Sequence, residues 1–212
     1  FGTGAYFRNT DPDDKSVQTW YGLIDGDSAI SGRGQLTARS LKTSFTADGK
    51  AARAFSEQTD TNDMSGKRGW YIDWINADGT KVGERIVTPS TLYRLTEPTL
   101  LGSSVIPEAD DPCQPGGTGY INAINAFTGA SLKESIFVLT SLPSGGIVGS
   151  IDLGIGMPSQ PALFVGDSGT GQLIVSGTGD SSGTQGGKPV SKAFNPSDRG
   201  GRIYWREIVR TQ

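Results

Sequence analysis

Apolar side chains recur at every second residue through most of this chain. Each run stops at glycine, proline or aspartate within about ten residues, a spacing that strands accept and helices do not. In the stretch GWYIDWI, Trp70, Ile72 and Trp74 fall on one face and Tyr71, Asp73 and Ile75 on the other. The following NADGT supplies a turn with Asp78-Gly79 at its tip, and KVGERIVT is expected to return as the partner strand of a hairpin. Further strands are expected over residues 17–24, 41–47, 91–96, 119–127, 145–153, 161–167, 171–177 and 202–210. Only AARAFSEQ, residues 51–58, suggests a turn or two of helix. The expected fold class is all-β.

Composition supports many short strands joined by tight turns. Glycine contributes 31 and proline 11 of the 212 residues, well above the usual share, while aromatic and β-branched residues are spread throughout. The chain is long enough for one large all-β domain with a substantial core. A formal net charge of −3 and a pI near 5.0 leave no electrostatic footprint for a phosphate backbone, so nucleic acid is not an expected partner. No apolar run approaches the roughly 18–20 residues a bilayer-spanning helix requires, and no membrane span is expected. The start at FGTGAYF, without an initiator methionine or signal peptide, is taken to mean that sequence precedes Phe1. The Gly/Ser-rich stretch 179–189 reads as a loop, and no shift in composition divides the chain, so residues 1–212 are expected to form a single unit.

The absence of histidine removes more chemistry than any motif supplies. GDSGTG, residues 166–171, resembles a serine-protease nucleophile loop around Ser168, but no imidazole exists to take its proton, and a glycine turn is the better reading. Histidine-based zinc sites fall for the same reason. Clusters such as GTGDSSG and GIGMPSQ are not followed by the long helix of a dinucleotide site, so they too read as turns. The acidic groups DPDD, DTND and EADD (Asp11–Asp14, Asp60–Asp63 and Glu108–Asp111) do not match a helix-flanked calcium loop, and turns capped by aspartate are expected. Loop 107–119 is the binding candidate: its prolines restrict it while Glu108, Asp110 and Asp111 keep carboxylates available.

The same loop carries the sole cysteine, Cys113, either a small buried hydrophobe or half of a bridge to another part of a longer chain. Asp110 and Asp111 disfavour its thiolate, so it is not expected to be a nucleophile. Trp70, Tyr71 and Trp74 suggest an aromatic platform for sugar or peptide, but period-two aromatics are more often core, as are Trp20, Tyr21 and Trp205. Trp70, Trp74, Phe127 and Trp205 are expected to be buried.

Several segments in order, FGTGAYF, VQTWYGLID, KRGWYIDW, GERIVTPSTL, VIPEADDPCQPGGTGYINAINAFTGASL and GRIYWREI, resemble the C-terminal region of the PilC/PilY family of type IV pilus tip-associated proteins. The resemblance runs from Phe1 to about Ile208 and leaves residues 51–65 and 153–196 largely unplaced. It implies part of a modified β-propeller with long loops, in a large exported protein whose N-terminal part is often an adhesive domain similar to von Willebrand factor A. At about 40–50 residues per blade the chain makes four or five blades without insertions and fewer with long loops, the remaining sectors belonging to the rest of its own polypeptide. NAFTGASL, with Phe127 ending a strand and Thr128-Gly129 turning it, fits a blade hairpin tip.

What the resemblance implies for function is a non-enzymatic role at the pilus tip, outer membrane or cell surface. Pilus assembly, control of retraction, twitching motility and adhesion are its expected activities, with minor pilins and host or abiotic surfaces as partners. The family's calcium loop lies upstream of the FGTG motif and has no counterpart here, so no metal or other cofactor is expected in this chain. The competing readings are a carbohydrate-binding propeller using an exposed aromatic such as Trp74, and a quinoprotein-like propeller enzyme. The residues present assemble neither a quinone's metal cluster nor its catalytic aspartate.

Overall fold

A computed structural model describes residues 1–8, 10–60, 62–108, 116–140, 147–165, 171–179 and 190–194, and all structural statements concern these. The strands in chain order are β1 (Thr19–Leu23), β2 (Thr37–Arg39), β3 (Leu41–Ala47), β4 (Lys50–Phe55), β5 (Gly69–Asp73), β6 (Thr91–Arg94), β7 (Pro98–Pro107), β8 (Gly117–Asn125), β9 (Ser150–Ile151), β10 (Ala162–Val165), β11 (Gly171–Val175) and β12 (Val190–Phe194). One 3-10 turn, Arg33–Gln35, is the helical structure among them. The strands form three sheets ordered β1-β5-β2, β3-β4-β9-β8-β7-β6 and β10-β11-β12, antiparallel except where β2 runs parallel to β5. The all-β expectation holds. The described strands close neither a barrel nor a ring.

The six-stranded sheet is the centre because both of its faces are covered. Ala52, Ile121, Ala123, Leu101 and Ile151 form one face and pack with Leu173 and Val175 of β11 and with Leu132, Ile136 and Phe137 from the segment after β8. Leu41, Phe55 and Ile124 on the other face meet Trp20, Trp70, Ile72 and Trp74 from the first sheet and the segment after it. A bulge lets one edge strand serve both cores. Register shifts between Leu41 and Thr43, so Leu41 opposes Phe55 in one core while Phe45 opposes Ala52 in the other. Without the extra residue the period of two would hold all three odd-numbered positions on one face.

Trp70 ties the first sheet to the second. Its indole lies against two glycines: a Cβ on Gly22 would come within 2.3 Å of it, and one on Gly129, which adopts φ +66°, within 2.4 Å. Its Nε1 donates to the Ala126 carbonyl oxygen at 2.9 Å. Trp20 crosses it edge to face at 5.8 Å and stacks on Trp74 at 6.0 Å. Trp70, Ile72 and Trp74 are all buried, as their alternation requires.

Four expectations need correction. The turn at 76–80 forms, with the Asn76 N–H donating to the Thr80 carbonyl, but residues 81–88 do not return along β5. Both edges of β5 are already taken by β1 and β2, and Arg85 instead bridges to Val105 of β7. Residues 51–58 are not helical: β4 occupies 50–55 between β3 and β9, where tertiary pairing overrides the helix propensity of alanine. Phe127 is exposed, at 63%. The strand ends at Asn125, whose side-chain oxygen accepts the Phe127 and Thr128 N–H groups, so the alternation stops two residues earlier than expected. Finally, loop 107–119 is shorter than expected, because β7 runs to Pro107 and β8 begins at Gly117. Strand 202–210 and Trp205 lie outside the described residues.

Candidate functional site

Of the loop candidates, Glu108 is exposed just past the end of β7, whereas Asp110, Asp111 and Cys113 lie outside the described residues, as does Ser168. The stem below Glu108 is fixed by β7–β8 pairing out to Pro107 and Gly117 and by the Lys15 ammonium, which donates to the Pro107 carbonyl at 3.2 Å. In the first acidic group, Asp11 and Asp14 act as local caps. Asp11 accepts the Phe7 and Arg8 N–H groups and Asp14 accepts that of Ser16; these bonds hold both carboxyls below their ordinary range.

Sequence reasoning missed the buried polar network. Arg53 on β4 grips Glu84 through two parallel bonds of 2.6 and 2.7 Å, and also donates to Ser150 on β9. The Ser104 hydroxyl on β7 donates to the same carboxylate, and Asn122 on β8 donates to Ser104 at 2.9 Å. Register explains the assembly. Arg53 opposes Ser150 and Ser150 opposes Asn122, so one face of four adjacent strands carries a polar row beneath Glu84. The Arg53 guanidinium lies 3.5 Å from the centre of the Tyr120 ring. Burial is the main cause that raises the Tyr120 hydroxyl above its ordinary value. The side chains of Arg53 and Glu84 are 2% and 1% exposed, which makes this pair an internal brace and not a substrate site. The available signal was charge at strand positions where the alternation asks for apolar residues.

Two further arginines organise the first sheet. Arg33 spans its outer face, donating to the Tyr21 hydroxyl and pairing with Asp73 at 3.0 Å, with its guanidinium 4.7 Å from the centre of the Tyr71 ring. Tyr21 and Tyr71 are thus outward-facing and half-buried, whereas Trp70 and Trp74 are core, so the platform reading fails for both tryptophans. Arg39, at the end of β2, pairs with Asp63 at 2.7 Å and donates to the Thr128 carbonyl at 2.9 Å. It lines a cleft of about 510 Å³ between β2 and the β3–β4 hairpin.

Against known proteins, a PilY1 homologue, a type IV pilus biogenesis factor from Xylella fastidiosa strain Temecula1, is 36% identical over 99% of this chain. The chain is a homologue of one segment of PilY1. Pseudomonas aeruginosa PilY1, from strain PAO1, is 30% identical over 98% of the chain. The chain spans 16% and 19% of the lengths of these two relatives. The crystal structure of the P. aeruginosa PilY1 C-terminal domain shares the fold, with a TM-score of 0.65 at 20% identity over 93% of this chain and 41% of that one. No family model matches the chain. The pilus resemblance seen in the motifs is therefore carried by the whole chain.

Proposed function

We propose that this chain is a non-enzymatic sector of a type IV pilus biogenesis factor, acting at the pilus tip or cell surface in assembly, control of retraction and adhesion. The single observation that carries the reading is 36% identity to a PilY1 homologue sustained over 99% of the chain. In this reading residues 1–212 are the C-terminal part of a modified β-propeller, completed by the rest of the polypeptide. The open outer edges of β3 and β6 among the described residues suit such completion, since ring closure is how propellers protect strand edges. Minor pilins and the colonised surface are the partners, export is required, and this segment holds no cofactor of its own.

The test is an in-frame deletion of these residues from the encoding gene, followed by electron-microscopic counts of pili and measurement of twitching zones and surface attachment. Loss of pili or of attachment, restored by the intact gene, is the expected result. Normal piliation, twitching and attachment in the deletion strain overturn the proposal.

A further inference from the structure

The first residues pair with β1 on the side away from β5. The Phe1 nitrogen donates to the Tyr21 carbonyl and the Tyr21 N–H donates to the Phe1 carbonyl, both at 2.8 Å. Two residues on, the Thr3 N–H donates to the Thr19 carbonyl at 2.9 Å, while the Thr19 N–H donates to the Thr3 hydroxyl at 2.8 Å. Between them Gly2 opposes Trp20 in antiparallel register. A Cβ at Gly2 would come within 2.4 Å of the Ile86 side chain, so glycine is what lets this segment approach the sheet.

The outer edge of β1 runs on past Phe1. Thr19 and Tyr21 bond away from β5, whereas Gln18 and Ile24 bond toward its side: the Gln18 carbonyl accepts from Trp74 and the Ile24 N–H donates to the Arg68 carbonyl. Leu23 is next in this alternation after Tyr21, so its N–H and carbonyl face the outer edge, and no described strand lies beside it there. Phe1, Leu23 and Ile24, three large apolar residues at this point of the edge, are exposed. Phe1 stacks on Tyr21 at 5.3 Å, which puts both on the outer face. Burial holds its amine below the ordinary value of 8.0, so the position suits a neutral amide better than a charged group.

We infer that the polypeptide immediately preceding Phe1 in the longer factor continues this strand along β1, its first residue opposite Gly22 and its second exchanging both backbone bonds with Leu23. The first sheet then has four strands. The inference rests on the reading that this chain is one sector of a longer protein, as its match to 16% of a 36%-identical relative supports. Phe1 is already in register, so the covalent link delivers the next residues to the edge at high effective concentration, an advantage no separate chain has.

The test uses the full-length protein. Hydrogen exchange resolved to single residues should show the Leu23 amide protected like that of Tyr21, at least about tenfold over an unstructured chain. Cysteine at the second residue before Phe1, combined with Leu23→Cys, should form a disulfide identified by mass spectrometry, because hydrogen-bonded antiparallel pairs set Cα atoms about 5.5 Å apart, within disulfide reach. Moving the upstream cysteine by one residue turns it to the other face and should abolish the link. Leu23 is exposed, so its variant should keep the parent's circular dichroism; if it does not, exchange in the unsubstituted protein decides alone. A Leu23 amide exchanging at the unprotected rate, a link from a neighbouring position instead, or a protected amide with no link in a folded variant, as a strand from another chain would give, each overturns the inference. Both measurements read the protein itself, so they and the piliation phenotype above fail separately.

Discussion

Arg53 and Glu84 show how a charged pair survives in an apolar interior: both carboxylate oxygens and most guanidinium N–H groups are bonded, and an aromatic ring covers the cation. Removing one partner strands the other. Glu84→Ala is expected to cost about 3–5 kcal/mol in urea denaturation, whereas replacing both residues with apolar ones of similar size should recover much of that loss. A single variant within 1 kcal/mol of the parent would show that the pair does not brace the sheet. Tyr120, under the same guanidinium, gives a pH signature. Its folded pKa lies above the ordinary 10.0, chiefly through burial. Above that value the unfolded chain holds fewer protons than the folded one, so its contribution is full below pH 10 and is lost as pH climbs through the folded pKa. Tyr120→Phe keeps the ring under Arg53 and should flatten the alkaline fall in stability measured between pH 9 and 11, a range set by the ordinary tyrosine value.

At the level of elements, glycines decide how closely the sheets approach. Gly49 (φ +71°) turns the β3–β4 hairpin in open space, while Gly129 (φ +66°) turns the chain after β8 directly against Trp70. Gly49→Ala should cost about 1 kcal/mol for the backbone conformation alone. Gly129→Ala adds overpacking to that strain and should cost about 2–4 kcal/mol. Equal losses in thermal or urea unfolding would mean that the indole moves aside. A strand that the alternation located, β11, has one buried face and one exposed one. Of the strands it missed, β4 and β7 sit between neighbours on both edges, whereas β2 and β12 are short edge strands. β7 carries Gly102, Ser103 and Ser104 at its middle, where Ser104 bonds the Glu84 carboxylate, so the apolar alternation is interrupted in the longest strand. β4 reads as helix because alanine and arginine favour helices when no sheet is there to recruit them. The Arg39 cleft was equally hidden, since it is assembled from residues 38–59 together with Ser131 and Ile147, and no local spacing encodes that meeting. By contrast, the family resemblance was legible because it depends on motif order and not on contacts.

For the whole molecule, the two cores lie on opposite faces of one sheet, so loss of either should expose the other. Trp20, Trp70 and Trp74 all belong to the core between the first and second sheets, so in a Trp205→Phe background, where they are the remaining tryptophans, fluorescence reports that half. Far-ultraviolet circular dichroism reports all three sheets. If the six-stranded sheet couples the layers, both probes should trace a single urea transition with one midpoint. Trp70→Ala, which removes the indole between Gly22 and Gly129, should lower that midpoint by the equivalent of about 3–5 kcal/mol and move both probes together. A variant in which fluorescence melts early while circular dichroism holds would instead show that the first sheet is a separable layer. That outcome would remove the expectation that residues 1–212 form a single unit.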